Sequence, residues 1–192
     1  MKRVLIAVLA AASATVAAGM ATAADKAALV EEGNVLMQQY GGALKAELQA
    51  AIKERGAPYA IEVCNIRAPE IASTVSRGSG WKVARSSHKL RNPDNVPDTN
   101  TAAVIDDFLA RQSAGESAET LVRAEIVDED GGQVFRLVKA IPTGELCLNC
   151  HGGAEVEPAV AEQLAKLYPE DRARGFKAGE MRGVFTLVKP LQ

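Results

Sequence analysis

The 192-residue chain has few of the residue types that most often build aromatic cores or metal clusters. Phe, Trp and Tyr make up only 4% of it, although hydrophobic residues together reach 47%. That hydrophobic content is typical of a globular protein with one core. The chain holds two histidines and three cysteines, too scattered to build a convincing zinc site with four N or S ligands.

Excess charge and long apolar runs are also missing from most of the sequence. The net charge is −2, which gives no basic field for nucleic acid or for an anionic membrane surface. After the first 18 residues, no stretch is apolar enough to cross a bilayer. We therefore expect neither a nucleic-acid partner nor a membrane association of the mature chain.

The N-terminus has the pattern of a secretory signal peptide. Lys2 and Arg3 are followed by an Ala-, Val- and Leu-rich run over residues 4–18 and then by small residues. We predict a signal peptide over residues 1–24 and a single domain over residues 25–192. An uncleaved N-terminal anchor is the alternative. The run is short and rich in alanine for a membrane span.

The motif Cys147-Leu148-Asn149-Cys150-His151 carries the chemistry. Two thiols three residues apart, followed at once by an imidazole, are typical of c-type haem attachment. The sulfurs form thioethers with the two haem vinyl groups, and His151 becomes the proximal iron ligand. A buried porphyrin would also supply the flat apolar body that the missing aromatics usually provide. Because such attachment takes place outside the bacterial cytoplasm, motif and signal peptide together predict a periplasmic protein.

The motif has two alternative interpretations, a CxxC disulfide redox pair and half of a zinc site. A thioredoxin-like pair is expected between a strand and a helix, and Gly152-Gly153 argue against a helix there. A zinc site would need further ligands that the chain hardly offers.

Periodicity predicts an α+β fold, in which helices surround a small antiparallel sheet. The sheet is expected to be built around a hairpin with its turn at residues 128–132. We predict helices over 25–55, 58–77, 101–111 and 158–168, the second kinked or restarted near Pro69. Strands are predicted over 81–87, 119–127, 133–141 and 183–188, and the segment 90–98 is predicted to be an ordered loop.

The sixth iron ligand remains open on chemistry alone. His88 would be the first choice, since bis-histidine ligation is common, although a loop histidine beside Lys89 and Arg91 can be purely structural. Met37, Met181 and the lysines are further candidates. Cys64 is the odd thiol left in an oxidising compartment, where it is a liability unless it is buried, paired or bound to metal.

The chain also resembles a family of secreted c-type haem proteins first characterised in cyanobacteria, related to the sensor domains of some histidine kinases. The residues that carry the resemblance run across nearly all of the mature chain: Ala60 to Cys64, Ala68 to Ala72, Leu90 to Pro93, Asn95, Pro97-Asp98, Cys147 to His151, Gly175-Phe176 and Gly179 to Gly183.

This resemblance implies a PAS-like antiparallel sheet flanked by helices and one covalent haem with His/Cys ligation. Carried over by position, His151 is the proximal ligand and Cys64 the distal one. We expect a redox or small-gas sensor that responds to CO or NO and signals through a separate partner. A soluble low-potential electron-transfer cytochrome is the alternative. We expect no enzyme, because a six-coordinate iron leaves no open site for a peroxidase-like reaction.

Three basic residues, Arg85, Lys89 and Arg91, are candidates for neutralising the haem propionates. Arg91 is the strongest of them because it lies in the matching loop. Ordinary surface charge is the alternative interpretation.

Overall fold

The computed structural model describes residues 23–129 and 131–191. The predicted signal peptide, residues 1–24, lies almost entirely outside this part of the chain. In order, the elements are α1 (Ala23–Arg55), α2 (Ala57–Ser79), β1 (Lys82–Ser86), a 3₁₀ turn (Pro93–Asn95), α3 (Thr99–Ser113), β2 (Val122–Glu129), β3 (Gly132–Pro142), α4 (Glu145–His151), α5 (Pro158–Leu167) and β4 (Met181–Pro190).

The four strands form one antiparallel sheet in the order β1-β4-β3-β2. The predicted α+β class, with an antiparallel sheet flanked by helices and a long N-terminal helix, is confirmed. The prediction that the hairpin forms the central pair of the sheet is wrong. Strand β2 lies at an edge, and the two central strands are β3 and β4, because the last strand of the chain returns to pair between β1 and β3.

Helix α1 covers one face of the sheet. Its periodic apolar residues pack with α2 and with alternate residues of the central strands, since side chains of a strand point to the two faces in turn. The buried members of this cluster are Leu36, Met37, Tyr40, Trp81, Val83, Phe135, Leu137 and Leu187.

Helix α3 covers the opposite face. Asp98 caps it by accepting a hydrogen bond from the Thr101 amide at 2.7 Å. The residues buried on this side are Val104, Ile105, Phe108, Ala118, Leu121, Val138, Ala140, Met181 and Val184. Helix and sheet therefore share a hydrophobic core here.

A third cluster joins α2, α5 and the region of α4. Ile61 of α2 packs with Val160 and Leu164 of α5, and Cys150 lies against this group. Helix α2 runs unbroken through Pro69, so the predicted restart does not occur. Among the described residues, no helix is long and apolar enough to span a membrane.

Candidate functional site

The cysteine–histidine motif lies on the short helix α4. Cys147 and Cys150 are one turn apart and therefore share a face of the helix. The motif forms the end of this seven-residue helix, which stops at Gly152, so no helix continues through Gly152-Gly153 as a thioredoxin-like pair would need. A Cβ at position 152 would come within 2.7 Å of the Leu148 carbonyl oxygen, so the exit from α4 requires glycine.

The His151 imidazole is held in one tautomer. Its Nδ1 lies 2.8 Å from the carbonyl oxygen of Ala173. A carbonyl can only accept, so Nδ1 carries the proton and Nε2 keeps a free lone pair. Burial of the ring, with the charges of Arg91 and Arg182, lowers the pKa of His151 to about 3. The side chain is therefore a neutral nitrogen donor, oriented as metal-ligating histidines usually are.

Phe176 contacts the rings of both histidines in the described part of the chain. Its ring meets that of His151 edge-to-face at 6.2 Å and that of His88 at 5.8 Å, measured between centroids. His88 is exposed on the loop after β1. One side of its ring packs against the protein, and this partial loss of solvent together with the charge of Lys89 lowers the pKa of His88. His88 thus lies beside the Phe176 that packs on His151.

Arg91 fastens α4 to the segment that precedes β4. Its guanidinium donates to both carboxylate oxygens of Asp171 at 3.1 Å, to the Cys150 carbonyl at 2.6 Å and to the Ala173 carbonyl at 3.1 Å. The Asp171 side chain is only 1% exposed, so the ion pair between Arg91 and Asp171 is largely buried. Arg91 therefore holds the backbone on both sides of His151. The predicted role at the propionates stays a prediction.

Asp171 completes this arrangement. Burial alone would raise its pKa, but hydrogen bonds from Arg91, Arg174 and the Ala173 amide outweigh burial and lower it. The carboxylate is thus charged at neutral pH and accepts from the amide of Ala173, the residue whose carbonyl accepts the hydrogen bond of His151 Nδ1.

Cys64 lies on α2, half-buried and free of any disulfide, as Cys147 and Cys150 also are. Burial raises the pKa of its thiol, and the positive charge of Arg85 partly opposes that rise. The thiol is also close enough to Cys150 for their charges to interact. The structure therefore brings Cys64 towards α4. The candidates Met37 and Met181 are buried in the cores on the two faces of the sheet, 6% and 1% exposed.

Two further cations border the motif. Arg182 of β4 lies beside Cys147, and burial, together with the charges of Arg85 and Arg91, lowers the pKa of its guanidinium. Arg85 of β1 lies with its guanidinium carbon 5.6 Å from the centre of the Tyr40 ring. Both Nε atoms are buried without a hydrogen-bond partner.

Comparison with known proteins reveals the family. A model of the Tll0287-like family (Tll0287) matches residues 3–190. The chain belongs to the Tll0287-like family. The solved structure of the cyanobacterial heme-protein Tll0287 matches this Tll0287-like chain with a TM-score of 0.60 at 23% identity, over 90% of this chain and 98% of that one. The likeness supports a shared fold, and no curated protein matches the chain.

In this Tll0287-like protein, the structure brings together most of the residues that the sequence singled out. Cys147, Cys150 and His151 share α4, with Arg91 against it and Cys64 approaching on α2. The sequence reasoning missed Asp171 and Arg182 as site residues. Arg182 could have been noticed, since it lies in a block that carries the family resemblance, whereas nothing in the sequence marks Asp171.

Among the described residues, no three His, Cys, Asp or Glu side chains form a group that could hold a metal ion. This geometry does not favour the zinc alternative, which needs four ligands from the protein. A haem iron needs only one or two.

Proposed function

We propose that this protein binds one haem c covalently through Cys147 and Cys150, with His151 as the proximal ligand and Cys64 as the distal ligand. The observation that carries the proposal is the His151 imidazole, neutral and fixed by Ala173, directly after two thiols on one face of α4. The family relative whose structure is solved is described as a heme-protein, and this supports the same cofactor here.

The residues present fit a haem. The two free thiols, one helical turn apart, match the two vinyl groups of a haem. The His151 imidazole, with its free Nε2 lone pair, matches the iron. The two nearby guanidinium Nε atoms without partners match the acidic edge. When bound, the haem supplies an iron that changes between two oxidation states. The polypeptide's part is to orient His151 through Ala173, and Ala173 through Arg91 and Asp171.

The proposed ligand Cys64 is the reason to infer a sensor. A thiolate donor favours the ferric state and lowers the reduction potential, and its hold weakens when the iron becomes less positive. Reduction would then release Cys64 and free α2 to shift against α4 and α5. We therefore infer a redox or small-gas sensor with CO or NO as ligand, working through a partner protein and without enzymatic activity. A low-potential electron-transfer cytochrome is the second candidate.

Location forms part of the same proposal. We infer that residues 1–24 direct export and are removed, so that residues 25–192 act in the periplasm with no membrane attachment and no nucleic-acid partner. The support is the N-terminal pattern and the oxidising compartment in which haem c is attached.

Covalent attachment is tested by producing the full chain together with haem-maturation machinery. Haem should remain with the polypeptide after acid–acetone extraction, and the intact mass should contain one haem on a chain that begins near residue 25. Cys147→Ala or Cys150→Ala should leave at most one thioether. Complete release of the haem on extraction would overturn the proposal, and a chain that still begins at Met1 would favour the anchored alternative.

Carbon monoxide separates the two candidate roles. In the reduced protein, rapid CO binding with loss of the Cys64 ligand is expected of a sensor. A reduced iron that excludes CO would favour electron transfer instead.

A further inference from the structure

Two arginines beside the motif, Arg85 and Arg182, are partly buried and have no carboxylate partner among the described residues. The Nε atoms of Arg85 and Arg182 are buried without a hydrogen-bond partner. Within residues 23–129 and 131–191, neither side chain forms an ion pair with a carboxylate, whereas the well-buried Arg91 and Arg136 both do. A buried polar atom without a partner calls for an explanation, and a negatively charged group next to this pair of arginines would supply one.

The backbone itself directs Arg182 to this place. In the pairing of β3 with β4, Pro142 lies opposite Met181 and Ile141 opposite Gly183. Arg182 is thus an extra residue with no partner in β3, which is a β-bulge. Bulges often re-aim a side chain next to a functional site. The Arg182 carbonyl is held by the Ser87 hydroxyl at 2.7 Å, which fixes the bulge against the end of β1.

The two arginines also lie where the candidate site needs positive charge. Arg182 is close enough to Arg85, Cys147 and His151 for their charges to interact. Arg85 interacts in the same way with Cys64. The pair therefore borders both the attachment helix α4 and the helix that carries Cys64. An anion that contacts both Arg85 and Arg182 would therefore lie within the candidate site.

We propose that Arg85 and Arg182 together receive the two propionate carboxylates of the haem. This assignment rests on the proposed haem attachment, and it shifts the main acid-binding role from Arg91, whose Nε and Nη2 are already engaged by Asp171 and by two carbonyls. A haem carries two carboxylates, which match the two unpaired cations. The same two charges would disfavour a more positive iron, so they set the reduction potential as well as the position of the haem.

The test uses the haem-loaded full chain with Arg85→Gln, Arg182→Gln and the double variant. Arg174→Gln is the matched control, because Arg174 is also near the site but is paired with Asp171 at 2.9 Å and is 39% exposed. Three quantities are measured: covalent haem content, midpoint potential against pH, and the propionate carboxylate bands in redox-difference infrared spectra.

All variants should keep covalent haem. The potential should fall in Arg85→Gln and Arg182→Gln and fall furthest in the double variant, with a stronger pH dependence near neutrality as the propionates become easier to protonate. The carboxylate bands should shift in these variants and not in Arg174→Gln. Arg182→Lys and Arg85→Lys, which keep the charge, should restore much of the wild-type potential.

Each departure from this pattern has a separate meaning. Potentials and carboxylate bands that match those of the wild type would overturn the arginine assignment and leave the haem proposal intact. A lowered potential with unmoved carboxylate bands would show that the arginines act on the iron charge alone, which also contradicts the assignment. Wild-type protein without covalent haem would contradict both proposals. If Arg182→Gln does not fold, Arg85→Gln and Arg85→Lys decide the question.

Discussion

Arg136 and Arg182 lie on the two central strands of the sheet, and their surroundings differ sharply. Arg136 on β3 is 4% exposed, bonds to Asp98 at 2.6 and 2.8 Å and to the Thr101 hydroxyl at 3.0 Å, and forms a further ion pair with Glu129. Arg182 on β4 has an orphaned Nε and no carboxylate partner in the described part of the chain. Arg136 therefore has two carboxylate partners in the polypeptide, whereas Arg182 has none among the described residues.

We interpret this difference as one between a structural region around α3 and the candidate functional site around α4. Around α3, the chain supplies every partner that its buried charge requires, and Asp98 serves both Arg136 and the start of the helix. Around α4, the described residues include two guanidinium Nε donors without a hydrogen-bond partner, two thiols outside any disulfide and the free Nε2 lone pair of His151. Polar groups left unpaired in a native structure call for an explanation, and a ligand from outside the polypeptide is the one that fits here.

The largest effect is expected from breaking the satisfied region. Asp98→Ala removes the helix cap and the main counter-ion of Arg136, and we expect a loss of about 3 kcal/mol in the free energy of unfolding. Urea unfolding at neutral pH measures it. Glu129→Gln is the control and should cost less, since Asp98 then still pairs with Arg136. A loss for Asp98→Ala no greater than that of the control would contradict the comparison.

An intermediate effect is expected at Asp171, the paired carboxylate of the functional region. Asp171→Asn leaves Arg91 without its ion-pair partner beside α4 and should cost about 2 kcal/mol in the haem-loaded protein. Asp107→Asn is the matched control, because Asp107 also bridges two arginines, Arg111 and Arg123, but is 36% exposed. Its loss should stay within about 0.5 kcal/mol. Equal losses in the free energy of unfolding for Asp171→Asn and Asp107→Asn would show that the burial of Asp171 does not strengthen its ion pair.

Removing the unpaired cation should have the opposite sign. In protein produced without haem, Arg182→Met eliminates a buried charge and should leave the free energy of unfolding unchanged or raise it by up to about 2 kcal/mol. Arg136→Met, made in the same background, should lower it because four partner atoms lose their donor. Chemical denaturation of the two variants measures the contrast. Equal destabilisation by both would mean that Arg182 has a protein partner after all.

The smallest effect is a dependence on acid pH. The folded-state pKa values of Asp98 and Asp171 are lowered from their usual value of 3.8. The stability that these groups contribute is therefore present above about pH 4 and is lost as the pH falls through the lowered values. Stability measured against pH should decline below pH 4, and less steeply in Asp98→Ala and Asp171→Asn. A decline that begins near pH 6 would point to another group.

Much of the fold could be predicted from periodicity and turn residues. The long N-terminal helix, the hairpin turn and the α5 pattern rest on local spacing, and the structure shows them close to their predicted limits. Strand order could not be predicted, because the return of β4 between β1 and β3 depends on long-range pairing. Helix α4 was missed, since seven residues before a glycine pair offer too little periodicity.

The site divides in the same way. We could predict Cys147, Cys150 and His151 as site residues because the spacing of two cysteines and a histidine is itself the pattern of haem attachment. The role proposed for Arg182 rests on a bulge in the β3–β4 register, and the position of Asp171 rests on a contact across 80 residues to Arg91. Arg182 lies in a block that carries the family resemblance, but the bulge itself and the contact of Asp171 leave no local pattern in the sequence.

The most direct test of a haem held between α4 and α2 is the ferric spectrum of the haem-loaded protein, recorded by near-infrared absorption and electron paramagnetic resonance. The wild type should show a low-spin iron with a charge-transfer band and g-values unlike those of bis-histidine or His/Met haem. Cys64→Ser should lose these features, become high-spin or water-bound and rise in potential, whereas His88→Ala should leave the spectrum nearly unchanged. Loss of the low-spin state in His88→Ala alone would contradict the assignment of Cys64.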